Sequence, residues 1–256
     1  MFGMKKLEKE NLEVCKKFFK EIKFYMAKTA TQGYMGEVWV DNVENPDFSI
    51  VLLGRFCFID GNPKNELVKQ VLFNLDNYYK TIIANENWYK IIEEVYKDKY
   101  EIDKRFSIKK NTKFDKEKIK MLSSNIKNEY KIEKIDSNNY KLINETNSFS
   151  TNITMSDNFE NNGIGFCAKN EKNEIVAVIA SNGIYDDGIE INIKIEEKDR
   201  HKGLGTALGS KMILECLAKN KYPSWDAANL DSVGLAEKLG YEVDSEYRIY
   251  KINRDY

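Results

Sequence analysis

The sequence predicts an α/β (α+β) protein built in two successive halves, and three observations predict it. Stretches that alternate apolar and polar residues are interleaved with stretches whose apolar residues recur every three or four positions. The chain has 256 residues and 42% hydrophobic content, enough for one large core or two small ones. A short pattern that begins at Tyr100 returns at Tyr241, each time after a helical stretch.

Taken in order, residues 7–28 read as a helix with Leu12, Cys15, Phe18, Phe19, Ile22, Tyr25 and Met26 on one face. Residues 37–40 and 48–53 read as strands, and 55–59 as a third after Gly54. Residues 65–84 carry Leu67, Val68, Val71, Leu72, Leu75, Tyr78 and Tyr79 at helical spacing. A helix over 88–96 and a strand over 100–109 close the first half. A short amphipathic helix over 115–127 and a strand over 130–135 lead into the second. Residues 136–162 are rich in Asn, Ser and Thr, with sparse anchors at Tyr140, Ile143, Phe149, Met155 and Phe159, a loop composition. Residues 163–168 and 175–180 are strands, followed by a turn over 184–188.

The second half is organised around residues 189–217. Ile189, Ile191, Ile193 and Ile195 alternate with Glu190, Asn192 and Lys194, the pattern of a half-buried strand. Leu204, Leu208, Met212 and Cys216 then recur every four residues, with Ala207 and Leu217 beside them, which marks a buried helix. Gly203 and Gly205 stand where that helix begins. Helix N-termini carry unpaired N–H groups and the positive end of the macrodipole, and glycine lets a phosphate approach the backbone closely. No Lys-Ser/Thr pair follows the glycines, which excludes a Walker A loop. Leu208 stands where a dinucleotide-binding fingerprint needs glycine.

What the loop does contain is Arg200-x-x-Gly203-x-Gly205, which resembles the acyl-CoA pyrophosphate loop of the GNAT N-acetyltransferase superfamily. The context extends the resemblance: an apolar strand over 222–228, then Asn229, Ser232, Leu235, Leu239, Gly240 and Tyr241 in that family's order. The similarity covers about residues 160–252. Pro223-x-Trp225-Asp226-Ala227-x-Asn229 and the run from Leu235 to Tyr241 are further similar to the subgroup that contains the zwittermicin A resistance acetyltransferase.

This resemblance implies a GNAT-like mixed, mostly antiparallel sheet flanked by helices, with acetyl-CoA as the cofactor. Pantetheine would lie along residues 191–195, against the backbone of Ile193 and Ile195. The pyrophosphate would rest on amides of Lys202, Gly203, Leu204, Gly205 and Thr206. Arg200 could add charge there or pair with Asp199 or Glu197, and His201 would act through its backbone. Asn229 would reach the pantetheine arm, cap the next helix with Ser232, or do both. Helices within 136–162 would line the acceptor site, against the loop that composition predicts.

Acyl transfer to an amine needs a base, stabilisation of charge on the acyl oxygen, and departure of a thiolate. Glu190 is the candidate base, with Asp186, Asp187 and Asp226 behind it; the alternative for Glu190 is a solvated strand carboxylate. A backbone N–H of Ile193 or Ile195 is the candidate donor to the acyl oxygen. Many relatives place a tyrosine after the Leu of the last helix, whereas Ala236 follows Leu235 here. Tyr241 or Tyr247 would have to substitute, or the thiolate leaves unassisted. The expected activity is N-acetylation of a primary amine on a small molecule by direct transfer in a ternary complex. The alternative is a non-catalytic acyl-CoA-binding sensor or regulatory module.

Composition trims the remaining possibilities. A net charge of −1 gives no basic field for nucleic acid or anionic membrane, and no apolar run is long enough to span a bilayer, so the expected location is the cytoplasm. Cys15, Cys57, Cys167 and Cys216 are scattered in apolar settings and read as core residues, without metal spacing. His201 is the single histidine, which excludes multi-histidine metal sites. The echo of Tyr100 at Tyr241 predicts that residues 1–125 are a degenerate GNAT-like domain and 126–256 the acetyl-CoA-binding one; the alternative is two unrelated strands of similar composition. The counterpart of the phosphate loop in the first half, residues 59–66, has one glycine, Pro63 and no Arg-x-x-Gly-x-Gly, so it should not hold CoA. Oligomeric state is not legible in the sequence.

Overall fold

The computed structural model describes residues 3–145, 149 and 163–253. The chain divides into two compact units, Met1–Arg105 with Glu246–Tyr256, and Phe106–Ser245.

In the first unit β1 (Lys5–Lys6), β2 (Glu37–Val40), β3 (Phe48–Leu53) and β4 (Phe56–Gly61) pair antiparallel in that order, and β5 (Thr81–Ala84) joins β4 in parallel. Late chain completes this sheet. Tyr250 and Lys251 of β13 (Val243–Ile252) pair antiparallel with Ile82 and Thr81, and β6 (Tyr100–Ile108) follows β13 in strand order. The period-two alternation of β3 divides the core. Ile50 and Leu52 pack with Val68, Val71 and Leu72 of α2 (Val68–Phe73) and Ile92 of α3 (Tyr89–Tyr96). Val51 and Leu53 pack on the other side with Met26, Ala27 and Ala30 of α1 (Met26–Thr31). Each such fully buried aliphatic side chain contributes about 1.5–3 kcal/mol.

In the second unit β7 (Lys131–Lys134), β8 (Gly165–Lys169), β9 (Ile175–Tyr185) and β10 (Gly188–Ile195) form an antiparallel meander. Helix α6 (Leu204–Ala218) then leads to β11 (Tyr222–Ser224), which lies parallel to β10. The chain turns off at Trp225, and β12 (Asp226–Ala227) pairs antiparallel with Ser107 and Phe106 at the end of β6. Helix α6 packs on β8 to β11 and on α4 (Lys116–Ser124), whose N-terminus is capped by the Asp115 carboxylate accepting from the amides of Glu117 and Lys118. Helix α5 (Ser137–Glu145) sets Ile143 against Cys167, Val178 and Ala180, and α7 (Leu230–Lys238) leads into β13. The mixed, mostly antiparallel sheets flanked by helices match the expected fold class.

Three expected elements differ. Residues 7–28 are not one helix: a 3-10 segment Lys9–Cys15 and α1 are separated by an irregular stretch. There Phe19 has φ +62° and donates its N–H to Asp60 Oδ2 at 2.6 Å, so a tertiary bond overrides the helical period. The expected faces survive, because Leu12, Cys15, Phe18, Phe19, Ile22 and Met26 are all buried. The long helix over 65–84 is a six-residue α2 followed by irregular chain and strand β5. The Asn74 side chain donates to the Gln70 carbonyl and Asp76 Oδ1 accepts from the Tyr78 amide, and both bonds turn the chain before Thr81-Ile82-Ile83 enters the sheet. Within 136–162, residues 137–145 are helical rather than loop, with Asp136 accepting from the Asn139 amide. Met155 and Phe159 lie outside the described residues.

Candidate functional site

Strands β10 and β11 start together and then part. Gly188, Ile189 and Glu190 pair with Tyr222, Pro223 and Ser224, and there the ladder ends. Beyond Glu190 a register shift interrupts the β9 pairing, and residues 191–195 continue against β9 alone among the described strands. Among the described residues no strand pairs with their other backbone edge. Ile193 and Ile195 are half-buried along it.

The loop after β10 is held from below. Asp199, nearly buried, accepts from Tyr130 Oη at 2.7 Å and from Lys202 Nζ at 2.8 Å. The Lys202 bond, aided by that of Tyr130, holds the Asp199 carboxyl below its ordinary range against the effect of burial. The same bond to Asp199 pushes the Lys202 ammonium up. Lys202 therefore points its side chain back at Asp199 and over the Tyr130 ring. Arg200 pairs with neither Asp199 nor Glu197; its Nε donates to the Ile195 carbonyl at 3.5 Å, and the side chain is exposed. His201 is exposed in the left-handed region, φ +59°.

Gly203 is the N-cap of α6 at φ +89°, without a side chain to cap it. The first hydrogen bond of the helix runs from Ala207 N–H to the Gly203 carbonyl at 3.1 Å. Among the described residues the amides of Gly203, Leu204, Gly205 and Thr206 have no acceptor. Alternating backbone of this kind, ending in an uncapped helix, presents N–H groups and a positive dipole to an anion. Leu204 and Thr206 are buried, so only their backbone is offered. Gly205 has a different reason for being glycine: a Cβ there would stand 3.1 Å from Leu235 Cδ2 and 3.3 Å from Ile195 Cδ1. Its absence lets α6, α7 and the end of β10 meet.

Asn229 caps α7, its Oδ1 accepting from the Ser232 amide at 2.9 Å, and Ser232 Oγ accepts from Trp225 Nε1 at 3.1 Å. Glu190 is 1% exposed, which removes the solvated-strand alternative. Its charge reaches both Tyr222 and Tyr241: burial is the main cause that pushes their hydroxyls up, and Glu190 adds to it. Asp226 is buried on β12, whereas Asp186 and Asp187 are exposed at the β9–β10 turn. Tyr241 is buried and donates to the Pro223 carbonyl at 2.6 Å, and Tyr247 packs in the core of the first unit. Ala236 is fully buried.

Sequence reasoning missed two parts of this arrangement. The Tyr130–Asp199–Lys202 cluster joins groups 69 positions apart, with no local pattern to announce it. Lys110, just past β6, donates to Ser224 Oγ at 2.7 Å and to the Trp225 carbonyl at 3.1 Å, where β11 leaves β10. Among the described residues no group of His, Cys, Asp or Glu could hold a metal ion, and no helix is long and apolar enough to cross a membrane.

The profile of the GNAT acetyltransferase family matches residues 16–250. A crystal structure of a GCN5-related N-acetyltransferase-like protein from Streptococcus suis 89/1591 is 30% identical, with TM-score 0.85, over 95% of this chain and 99% of that one. The uncharacterized N-acetyltransferase YdfB of Bacillus subtilis (strain 168) is 32% identical over 94 residues, which span 36% of this chain and 36% of YdfB. A tandem GNAT protein from the clavulanic acid biosynthesis pathway is 9% identical with TM-score 0.52, over 84% of this chain and 81% of that one, a likeness of fold alone.

Proposed function

The chain belongs to the GNAT acetyltransferase family, and from that membership we propose that it transfers the acetyl group of acetyl-CoA directly to the primary amine of a small molecule. The observation that carries the proposal is the pairing of an open β10 edge with the acceptor-free amides of residues 203–206. The residues suit the group: the acceptor-free amides of residues 203–206 would hold a pyrophosphate, and a strand edge that no described strand covers would suit the amides of pantetheine. When bound, acetyl-CoA supplies a thioester whose carbonyl carbon takes the amine nitrogen and whose C–S bond breaks. Glu190, on the strand beside the opening, takes the proton that the amine loses. A backbone N–H of Ile193 or Ile195 donates to the acyl oxygen as charge develops there. Arg200, exposed beside the loop, adds charge near the phosphates, and His201, Lys202, Gly203, Leu204, Gly205 and Thr206 contribute backbone. Asn229 and Ser232 hold the start of α7 against Trp225. With Ala236 buried and Tyr241 committed to Pro223, the thiolate leaves without a tyrosine donor.

The missing donor also favours a second reading, an acyl-CoA-binding sensor that has kept the fold and lost the chemistry. The buried carboxylates Glu190 and Asp226 support a cationic acceptor, and the run from Pro223 to Tyr241 supports placement near the zwittermicin A resistance acetyltransferase. The experiment is CoA release with acetyl-CoA over a panel of polyamines and aminopolyols. We expect amine-dependent release that Glu190→Gln slows by about 10²–10⁴-fold while acetyl-CoA affinity holds. Release that persists at the full rate in the variant removes Glu190 from the chemistry. Acetyl-CoA binding without release supports the sensor.

A further inference from the structure

The first unit contains a cleft unrelated to the loop described above. It has a volume of about 490 Å³, and Glu37, Trp39, Leu52, Asp76, Tyr78 and Tyr79 line it together with Leu75 and Asn74. That volume lies in the range of small-molecule sites, about 300–1,000 Å³. Leu52 and Leu75, both nearly buried, give it an apolar floor. Three aromatic rings surround the floor. Tyr78 and Tyr79 meet edge to face at 5.4 Å, and Tyr78 is 55% exposed.

The charges are fixed in place around those rings. Glu37 Oε2 accepts from Trp39 Nε1 at 3.0 Å, which orients the indole, while Oε1 takes Lys6 Nζ at 2.6 Å. The Lys6 bond is the main cause that keeps the Glu37 carboxyl below its ordinary range. Asp76 Oδ1 accepts from the Tyr78 amide, which fixes the second carboxylate beside the tyrosine pair. The Tyr79 hydroxyl is pushed up first by burial and then by the charges of Glu37 and Asp76. Lys6 pairs with Glu37, which leaves the Asp76 carboxylate as the negative charge beside the apolar, aromatic floor.

We propose that this cleft binds an organic ammonium ion with an apolar or aromatic body, the body on Leu52 and Leu75 and the cation between the Trp39, Tyr78 and Tyr79 rings and the Asp76 carboxylate. An ammonium gains from aromatic faces and from the exposed Asp76 carboxylate together, whereas an anion is repelled by that carboxylate. The site shares no residue with the β10–α6 loop and stands or falls apart from the acetyltransferase reading.

The test titrates the full chain, labelled with ¹⁵N in its indoles, with phenethylammonium and with its neutral analogue 2-phenylethanol. The reporter is the Trp39 indole, assigned from Trp39→Phe; the fully buried Trp88 indole is the folding control. We expect a saturable shift of the Trp39 signal with the amine, weaker at high salt, and little shift with the alcohol. The Glu37→Gln/Asp76→Asn double variant keeps acceptors for Trp39 and for the Tyr78 amide while removing both charges. It should weaken phenethylammonium by about tenfold with the Trp88 signal in place. A Trp39 signal unmoved by the amine, equal response to amine and alcohol, or undiminished binding by the double variant would each overturn the proposal.

Discussion

Lys202 and Asp199 stand three positions apart, yet their pairing is completed by Tyr130 from the start of the second half. Because the carboxyl of Asp199 is held low in the folded chain, its stabilisation is complete above the ordinary carboxylate value, about 3.9, and is lost as pH falls through its lowered value. The ammonium of Lys202 is raised, so its share is complete at neutral pH and fades only in strong alkali. Asp199→Asn should therefore lower the melting temperature at pH 7, with the gap from wild type closing as pH drops below 4 (roughly the ordinary value). A gap that stays constant down to acid pH would contradict the assignment. Gly205→Val tests packing at the same loop. Its added methyls meet Leu235 and Ile195, and denaturant unfolding should show a loss of about 1–3 kcal/mol. The motif marked both glycines alike, but the reasons differ: Gly203 needs its positive φ, and Gly205 needs the space. That distinction depends on tertiary neighbours and is not written in Arg200-x-x-Gly203-x-Gly205.

At the scale of elements, strands and the long helix of the second half were legible because their periods are clean. β10 and α6 fall where Ile189 to Ile195 and Leu204 to Cys216 place them. The failures have local causes. Phe19 and Asp76 redirect the chain through single hydrogen bonds that a hydrophobic period cannot register. Trp225, nearly buried, ties β11 to the start of α7 through Ser232. The Asn229 cap is an element-scale feature with a measurable share of stability. Asn229→Ala should cost about 1 kcal/mol in denaturant unfolding, and an unchanged midpoint would mean that the amide of Ser232 finds another acceptor.

At the scale of the whole molecule, the two halves of the chain run through the same order of elements. Three antiparallel strands lead to a helix, a parallel strand, a second helix and a closing strand: β2 to β6 with α2 and α3, then β8 to β13 with α6 and α7. This parallel, with the Tyr100 and Tyr241 echo, supports the proposal that the chain is a duplicated fold with a degenerate first copy. The two halves differ where the parallel pair of strands ends. In the first unit β4 and β5 stay paired to Ile59 and Ala84, and Asp60 Oδ1 then accepts from Asn85 Nδ2 at 3.0 Å across the place where β10 and β11 separate in the second. The Asp60 carboxylate also takes the Phe19 amide. A sealed first copy and an open second one predict a single acetyl-CoA per chain.

Calorimetric titration of acetyl-CoA into wild type and Gly203→Val tests the central claim most directly. Valine cannot rest at φ +89° without strain, so the variant disturbs the amides of residues 203–206 while a Cβ itself finds room, its nearest atom 3.6 Å away. The account predicts one site per wild-type chain and loss of binding in a variant whose circular dichroism is native. Binding that survives in Gly203→Val, or two equivalent sites in wild type, would contradict it.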